Sequence, residues 1–211
     1  MKSDYLKPGT YDELYRVMQL DNVLAIRVSV DNGLRIDDVL RLKWENFTKP
    51  AQFTYVAKKT GKKGVKKLSK LLQRELFNRK STGSVYVFPG RKRGTHRTRQ
   101  AVWKDIKKAA DLMGVPLNVS PHSARKTYAV ELRKERGLAD VQKELQHSDM
   151  TTTMLYAFAD MARGAKRGPV PESTDLIAFA DLIAERVLEK LRSELGQRCP
   201  YLAEAKKKET D

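Results

Sequence analysis

Pro121-His122-Ser123-Ala124-Arg125-Lys126-Thr127, then Leu145-Gln146-His147-Ser148, then Tyr156, bring together the side-chain types needed to break a phosphodiester. Arg125 carries a planar fork of N–H donors that matches two phosphate oxygens. A second such fork, Arg35, lies far upstream in Asn32-Gly33-Leu34-Arg35-Ile36-Asp37-Asp38. Two guanidinium groups can neutralise a pentacoordinate phosphorane without a metal ion, an imidazole can move the proton, and a hydroxyl can become a covalent nucleophile. His122 precedes Arg125 by three residues, so on a helix both reach one phosphate from one face. His147 and Tyr156 can join them only through the fold.

In the order and spacing of these boxes the chain resembles the tyrosine recombinases, or phage integrases, from about Leu6 to about Phe158. Gly33-Leu34-Arg35-Ile36 is similar to that family's first arginine box, and Ala57-Lys58-Lys59-Thr60-Gly61 to the hairpin bearing its lysine. His122-Ser123-Ala124-Arg125 matches the second box, and His147 precedes Tyr156 by the family's nine residues. Gln146 stands where the family usually has Gly, Ala124 where it has Leu, and Lys126 where a second His is common; none of these removes a catalytic group.

The resemblance implies a catalytic set of Arg35, Lys59, His122, Arg125, His147 and Tyr156, and a transesterification without metal or nucleotide cofactor. Tyr156 attacks the scissile phosphate, giving a 3′-phosphotyrosyl link and a free 5′-hydroxyl that a second strand can later replace. Arg35, Arg125 and His147 stabilise charge on the nonbridging oxygens, His122 is the general base and Lys59 the general acid. The activity implied is a site-specific DNA strand transferase. Two alternatives use the same residues differently: a topoisomerase-like relaxer, and a noncatalytic DNA-binding protein retaining the fold.

Each residue also has a plainer reading. Tyr156 is one of eight tyrosines, and a tyrosine on a short helix is usually a half-buried packing residue. Arg35 alone would be a solvated cation or a partner of Asp37 or Asp38; its place after an Asn-Gly turn opening a helix makes it a phosphate ligand. Asp38 is either a surface acid or a carboxylate that fixes a catalytic arginine from behind. Lys59 belongs to a run with Lys58, Lys62, Lys63, Lys66 and Lys67 that reads as a solvated, DNA-attracting face. His122 and His147 could each serve as caps, and Trp44 and Trp103 read as core.

Forty-two Lys and Arg against 26 acids give the 211 residues a net charge of +16, which predicts attraction to a polyanion. The expected partner is double-stranded DNA, with the chain acting as a homo-oligomer assembled on it. Lys58, Lys62, Lys63, Arg91, Lys92, Arg93, Arg97, Arg99 and Lys126 are its expected backbone contacts. No run approaches the roughly 18 apolar residues of a membrane span, and the N-terminus lacks a signal peptide's apolar stretch. The expected setting is cytoplasmic, nucleoid-associated in a prokaryote or phage-encoded. A single cysteine, Cys199, excludes intrachain disulfides, and three dispersed histidines offer no zinc cluster.

The elements that must position these groups read as mainly α with a small antiparallel β-sheet, an α+β arrangement matching the fold of the resembled catalytic domain. Helices are expected over Tyr11 to Met18 with Thr10 as N-cap, over Val23 to Val30, from Arg35 through Leu42, and over Leu71 to Asn78. Further helices are expected over Arg99 to Met113, His122 to Arg136, Ala139 to Leu145 and Thr151 to Phe158. Gln52 to Ala57 and Val65 to Leu68 should form a hairpin with Lys59 near its tip, and Val85 to Phe88 a third strand.

The expected organisation is a catalytic domain over residues 1–160, a Gly- and Pro-punctuated linker over 161–174, an amphipathic helix over 175–196 and a disordered tail over 197–211. The helix bears one apolar stripe, from Leu176 to Leu195, that requires a partner surface on its own domain or on a neighbouring subunit. About ten residues precede the first expected helix, so the N-terminal DNA-clamping domain of a full family member is expected to be absent.

Overall fold

Two helices set the frame of the protein. In the computed structural model, which describes residues 3–49, 51–80 and 83–145, α2 (Leu20–Asn32) packs against α6 (Pro121–Arg136). Both helices bury apolar residues on this contact side, among them Leu24, Val28, Ala124 and Val130. Around the pair lie α1 (Pro8–Tyr15), α3 (Ile36–Leu40), α4 (Lys70–Asn78), α5 (Arg99–Leu112) and α7 (Leu138–Leu145). The sheet is a single hairpin of β1 (Gln52–Val56) and β2 (Lys63–Lys67), antiparallel in the register Gln52 to Lys67 through Val56 to Lys63. The fold is thus mainly α with a small antiparallel sheet, as the sequence implied. No helix among the described residues is long and apolar enough to cross a membrane.

Several boundaries differ from the expected ones for identifiable reasons. α1 starts at Pro8 rather than after Thr10, because a proline at the first helical position loses nothing by lacking an N–H and brings a helical φ. Val85 to Phe88 runs from exposed Val85 to buried Val87 and Phe88 and makes no third strand. Val85 accepts from the Trp44 N–H and Val87 donates to the Leu42 carbonyl, but Trp44–Asn46 is a 3-10 turn that cannot extend a ladder. Trp44 lies in an aromatic cluster with Phe47 and Phe77, at centroid distances of 5.9 and 5.5 Å. Trp103 is not core: it is 46% exposed, because the buried stripe of α5 runs through Val102, Ile106, Ala109 and Ala110 and leaves its neighbour outside.

His147, Tyr156, the Thr151 to Phe158 helix, the linker, the amphipathic helix and the tail lie outside the described residues.

Candidate active site

The turn between α2 and α3 delivers the first arginine. Gly33 takes a left-handed conformation, φ +65°, and ends α2 by donating its N–H to the Ser29 carbonyl at 2.9 Å. The Ser29 hydroxyl donates to the Leu34 carbonyl at 2.7 Å, which fixes the next peptide. Arg35 follows in extended geometry as the N-cap of α3, so its side chain leaves the helix at its start.

α6 delivers the other two groups. Pro121 opens it, and the Ser120 hydroxyl caps it by accepting the His122 N–H at 3.2 Å while Ser123 reaches back to the Ser120 N–H. His122 therefore stands in the first turn and Arg125 one turn further, on the same face. Arg125 is only 4% exposed, and a buried guanidinium requires acceptors. Its Nη1 donates to the Gly33 carbonyl at 2.5 Å and its Nη2 to the Leu145 carbonyl at 2.6 Å. The second arginine is thus clamped between the end of α2 and the end of α7.

Arg35, His122 and Arg125 line one cleft of about 890 Å³. The cleft is also lined by Arg99, Gln100, Trp103 and Lys107 of α5, with the Lys107 Nζ donating to Asn118 Oδ1 at 2.6 Å. Of these, Arg99 was expected to contact DNA and Trp103 to be core, while Gln100 and Lys107 were not singled out from sequence. The spacing of four from 99 to 103 to 107 marks one helical face and is the signal that could have placed Trp103 and Lys107 beside Arg99.

Lys59 is exposed in the β1–β2 loop, which closes through Ala57 N–H to the Lys62 carbonyl at 2.9 Å. The root of that loop is tied to the arginine turn: Asp38, buried at 4% exposure, accepts the Lys58 N–H at 2.9 Å. Asp38 lies one helical turn beyond Arg35, so its carboxylate ties the root of the lysine loop to the helix that Arg35 opens. Asp38→Ala removes the acceptor; amide exchange at Lys58 is expected to accelerate by roughly fivefold, for a net bond of about 1 kcal/mol, with helical amides in α6 unchanged.

Tyr55 on β1 was not singled out from sequence. It is buried beside this assembly and lies across Gly64, where a Cβ would meet its ring at 2.6 Å. Burial raises its hydroxyl pKa, Asp38 and Glu144 reinforce this, and Arg125 and Arg35 oppose it.

His122 keeps exposed surface in the cleft, yet its pKa is lowered from 6.5 to about 4. Lost hydration is the first cause, followed by the positive charges of Arg125, Lys126 and Arg35. The imidazole is therefore neutral at pH 7 and able to accept a proton. Between about pH 4 and 6.5 the unfolded chain binds the proton that the folded chain refuses, so stability falls as pH drops through that window. The expected result is that melting temperature declines more steeply from pH 7 to pH 4.5 for the wild type than for His122→Asn.

The expected DNA contacts divide into two groups. Lys58, Lys62, Lys63, Arg91, Lys92, Arg93 and Arg99 are exposed. Arg97 instead pairs with Asp21 at 2.7 Å, a carboxylate that also holds Arg79 and so ties the basic loop to α2 and α4. Lys126 donates to the Ser3 carbonyl at 2.5 Å and anchors the N-terminal segment.

The model of the phage integrase family matches residues 5–163, about three quarters of the chain, and its span contains the turn, hairpin and helix just described. The chain belongs to the phage integrase family. This integrase-family chain is 33% identical over 168 residues to the tyrosine recombinase XerC of Xanthomonas campestris pv. campestris (strain B100), covering 74% of the chain and 52% of that relative. It thus spans about half the length of the curated relatives it matches. Among solved structures it is similar in fold to a lambda integrase dimer bound to a COC′ core site, with a TM-score of 0.66 and 18% identity over 81% of the chain and 51% of that protein. The catalytic domain of bacteriophage HP1 integrase gives a TM-score of 0.55 and 19% identity, covering 80% of the chain and 97% of that domain.

Proposed function

We propose that this integrase-family chain is the catalytic part of a site-specific DNA strand transferase that cleaves and rejoins DNA through a 3′-phosphotyrosyl intermediate at Tyr156. One observation carries the reading: Arg35, far in sequence from His122 and Arg125, lines a single cleft with them, and the lysine loop is tied through Asp38 to the helix that Arg35 opens. The arginines neutralise the nonbridging oxygens as charge develops, a term worth about 10²- to 10³-fold per donor lost. His122, neutral in the cleft, takes the Tyr156 proton as the phenolic oxygen bonds to phosphorus. Lys59 donates a proton to the departing 5′-oxygen, and His147 assists at the phosphate.

The DNA duplex follows Lys58, Lys62, Lys63 and the Arg91-Lys92-Arg93 loop, with Arg99 on the cleft wall. Arg97 and Lys126, held by Asp21 and the Ser3 carbonyl, orient this surface rather than grip phosphate themselves. The XerC relative is a tyrosine recombinase, and the lambda integrase structure is a dimer on DNA, which favours a homo-oligomer on duplex DNA here. The stripe from Leu176 to Leu195 docks either on its own domain or on the neighbouring subunit.

Trapping tests this reading. Nicked suicide duplexes tiled from the source genome are incubated with the chain, denatured in SDS and compared with Tyr156→Phe. An SDS-stable adduct that needs Tyr156 supports strand transfer, whereas DNA binding without any adduct favours a noncatalytic binder. The low pKa of His122 adds a second expectation: single-turnover adduct formation stays active well below pH 6.5 and declines only toward pH 4.

A further inference from the structure

Lys66 differs from the other hairpin lysines. Lys58, Lys59, Lys62, Lys63 and Lys67 are exposed, whereas the Lys66 side chain keeps only 11% of its surface. Its Nζ forms an ion pair with the Glu144 carboxylate on α7 and stands 5.6 Å from the Tyr128 ring centroid on α6. Glu144 is adjacent to Leu145, whose carbonyl holds the Arg125 guanidinium. The ion pair therefore joins β2 directly to the clamp of the second arginine.

A two-stranded hairpin is marginally stable by itself and pivots unless anchored. β1 buries Phe53 and Tyr55 in the core, and two side-chain contacts lie on opposite sides of the loop: Asp38 to the Lys58 N–H, beside Arg35, and Glu144 to Lys66, beside Arg125. The buried residues of β1 hold the body of the hairpin, and the two contacts tie the base of its exposed loop to the elements that carry both arginines. We infer that Lys66 and Glu144 are positioning residues that set where Lys59 meets the leaving 5′-oxygen. This rests on the functional reading above, in which Lys59 is the general acid.

The chemistry offers a readout that structural damage would not mimic. In the normal step the Tyr156 oxygen bonds to phosphorus, the bond to O5′ breaks, and that oxygen takes the Lys59 proton. With sulfur in place of O5′, the leaving group departs as a thiolate, because a thiol has a pKa of about 8.5 against about 16 for water-like oxygen, and no acid is needed. Lys66→Met and Glu144→Gln, in the full chain under single turnover with saturating duplex, are each expected to slow cleavage of the oxygen substrate by about 10²-fold. Both are expected to cut the sulfur substrate at nearly the wild-type rate. The swapped pair Lys66→Glu with Glu144→Lys restores the oxygen rate if either single variant folds poorly.

Oxygen cleavage at the wild-type rate in Lys66→Met, or equally slow cleavage of both substrates, overturns the inference. Lys59→Ala serves as the reference. If sulfur rescues Lys59→Ala but not Lys66→Met, the positioning role falls and the functional reading stands. If sulfur rescues neither, the assignment of Lys59 as acid falls with it.

Discussion

Arg125→Lys is expected to slow adduct formation by about 10²- to 10³-fold, the loss typical of one donor aimed at a developing oxyanion. Lysine keeps the charge but not the fork. The Arg125 guanidinium reaches the Gly33 and Leu145 carbonyls at once, and a single ammonium on a straight stem cannot span both and also face the cleft. Orphaning a buried acceptor costs about 1–3 kcal/mol, which for a chain of this size lowers the melting temperature by roughly 2–12 °C. Thermal melts and single-turnover rates check the two effects separately. A variant with wild-type stability and wild-type rate would show that the carbonyl clamp is incidental.

Gly33→Ala is expected to be the most destabilising single methyl in the described structure, at about 2–4 kcal/mol. Part is conformational, since φ at +65° disfavours any side chain. The larger part is steric: the new Cβ would lie 2.3 Å from Tyr128 Cδ1 and 2.8 Å from Leu145 Cδ2. Because the Gly33 carbonyl also holds Arg125, adduct formation should fall together with stability. Adding Tyr128→Ala to Gly33→Ala removes the worst contact but not the backbone strain, so a double-mutant cycle in urea should return a favourable coupling. Simple additivity would mean that the ring moves aside at little cost.

The parts of the site that were legible in the sequence are those whose geometry is local. His122 and Arg125 share a face because three residues make nearly one helical turn, and Ser120 and Pro121 mark where that turn begins. Arg35 is announced by Asn32-Gly33, since glycine ends α2 in the left-handed conformation before α3 opens. The hairpin is legible for the same reason, although β2 begins at Lys63 rather than Val65.

What sequence reading missed is settled between residues far apart in the chain. The sequence gives no sign that Arg97 is held by Asp21 or that the Lys126 Nζ donates to the Ser3 carbonyl. Lys66 is indistinguishable from its five lysine neighbours in sequence, and only Glu144 on α7 sets it apart. Asp38 reads in sequence as either a surface acid or a support for an arginine; it is buried, and the partner seen for it, the Lys58 N–H, belongs to a different box. Trp103 shows the remaining kind of failure, in which residue type suggested core although helical phase puts the side chain on the cleft.

The claim that this cleft performs phosphoryl transfer through tyrosine is tested most directly by digesting the trapped adduct and locating the nucleotide-bearing peptide by mass spectrometry. The account predicts a phosphotyrosyl link at Tyr156, joined to a DNA 3′ end, with a free 5′-hydroxyl on the released strand. A link to any other residue, or to a 5′ end, would contradict it.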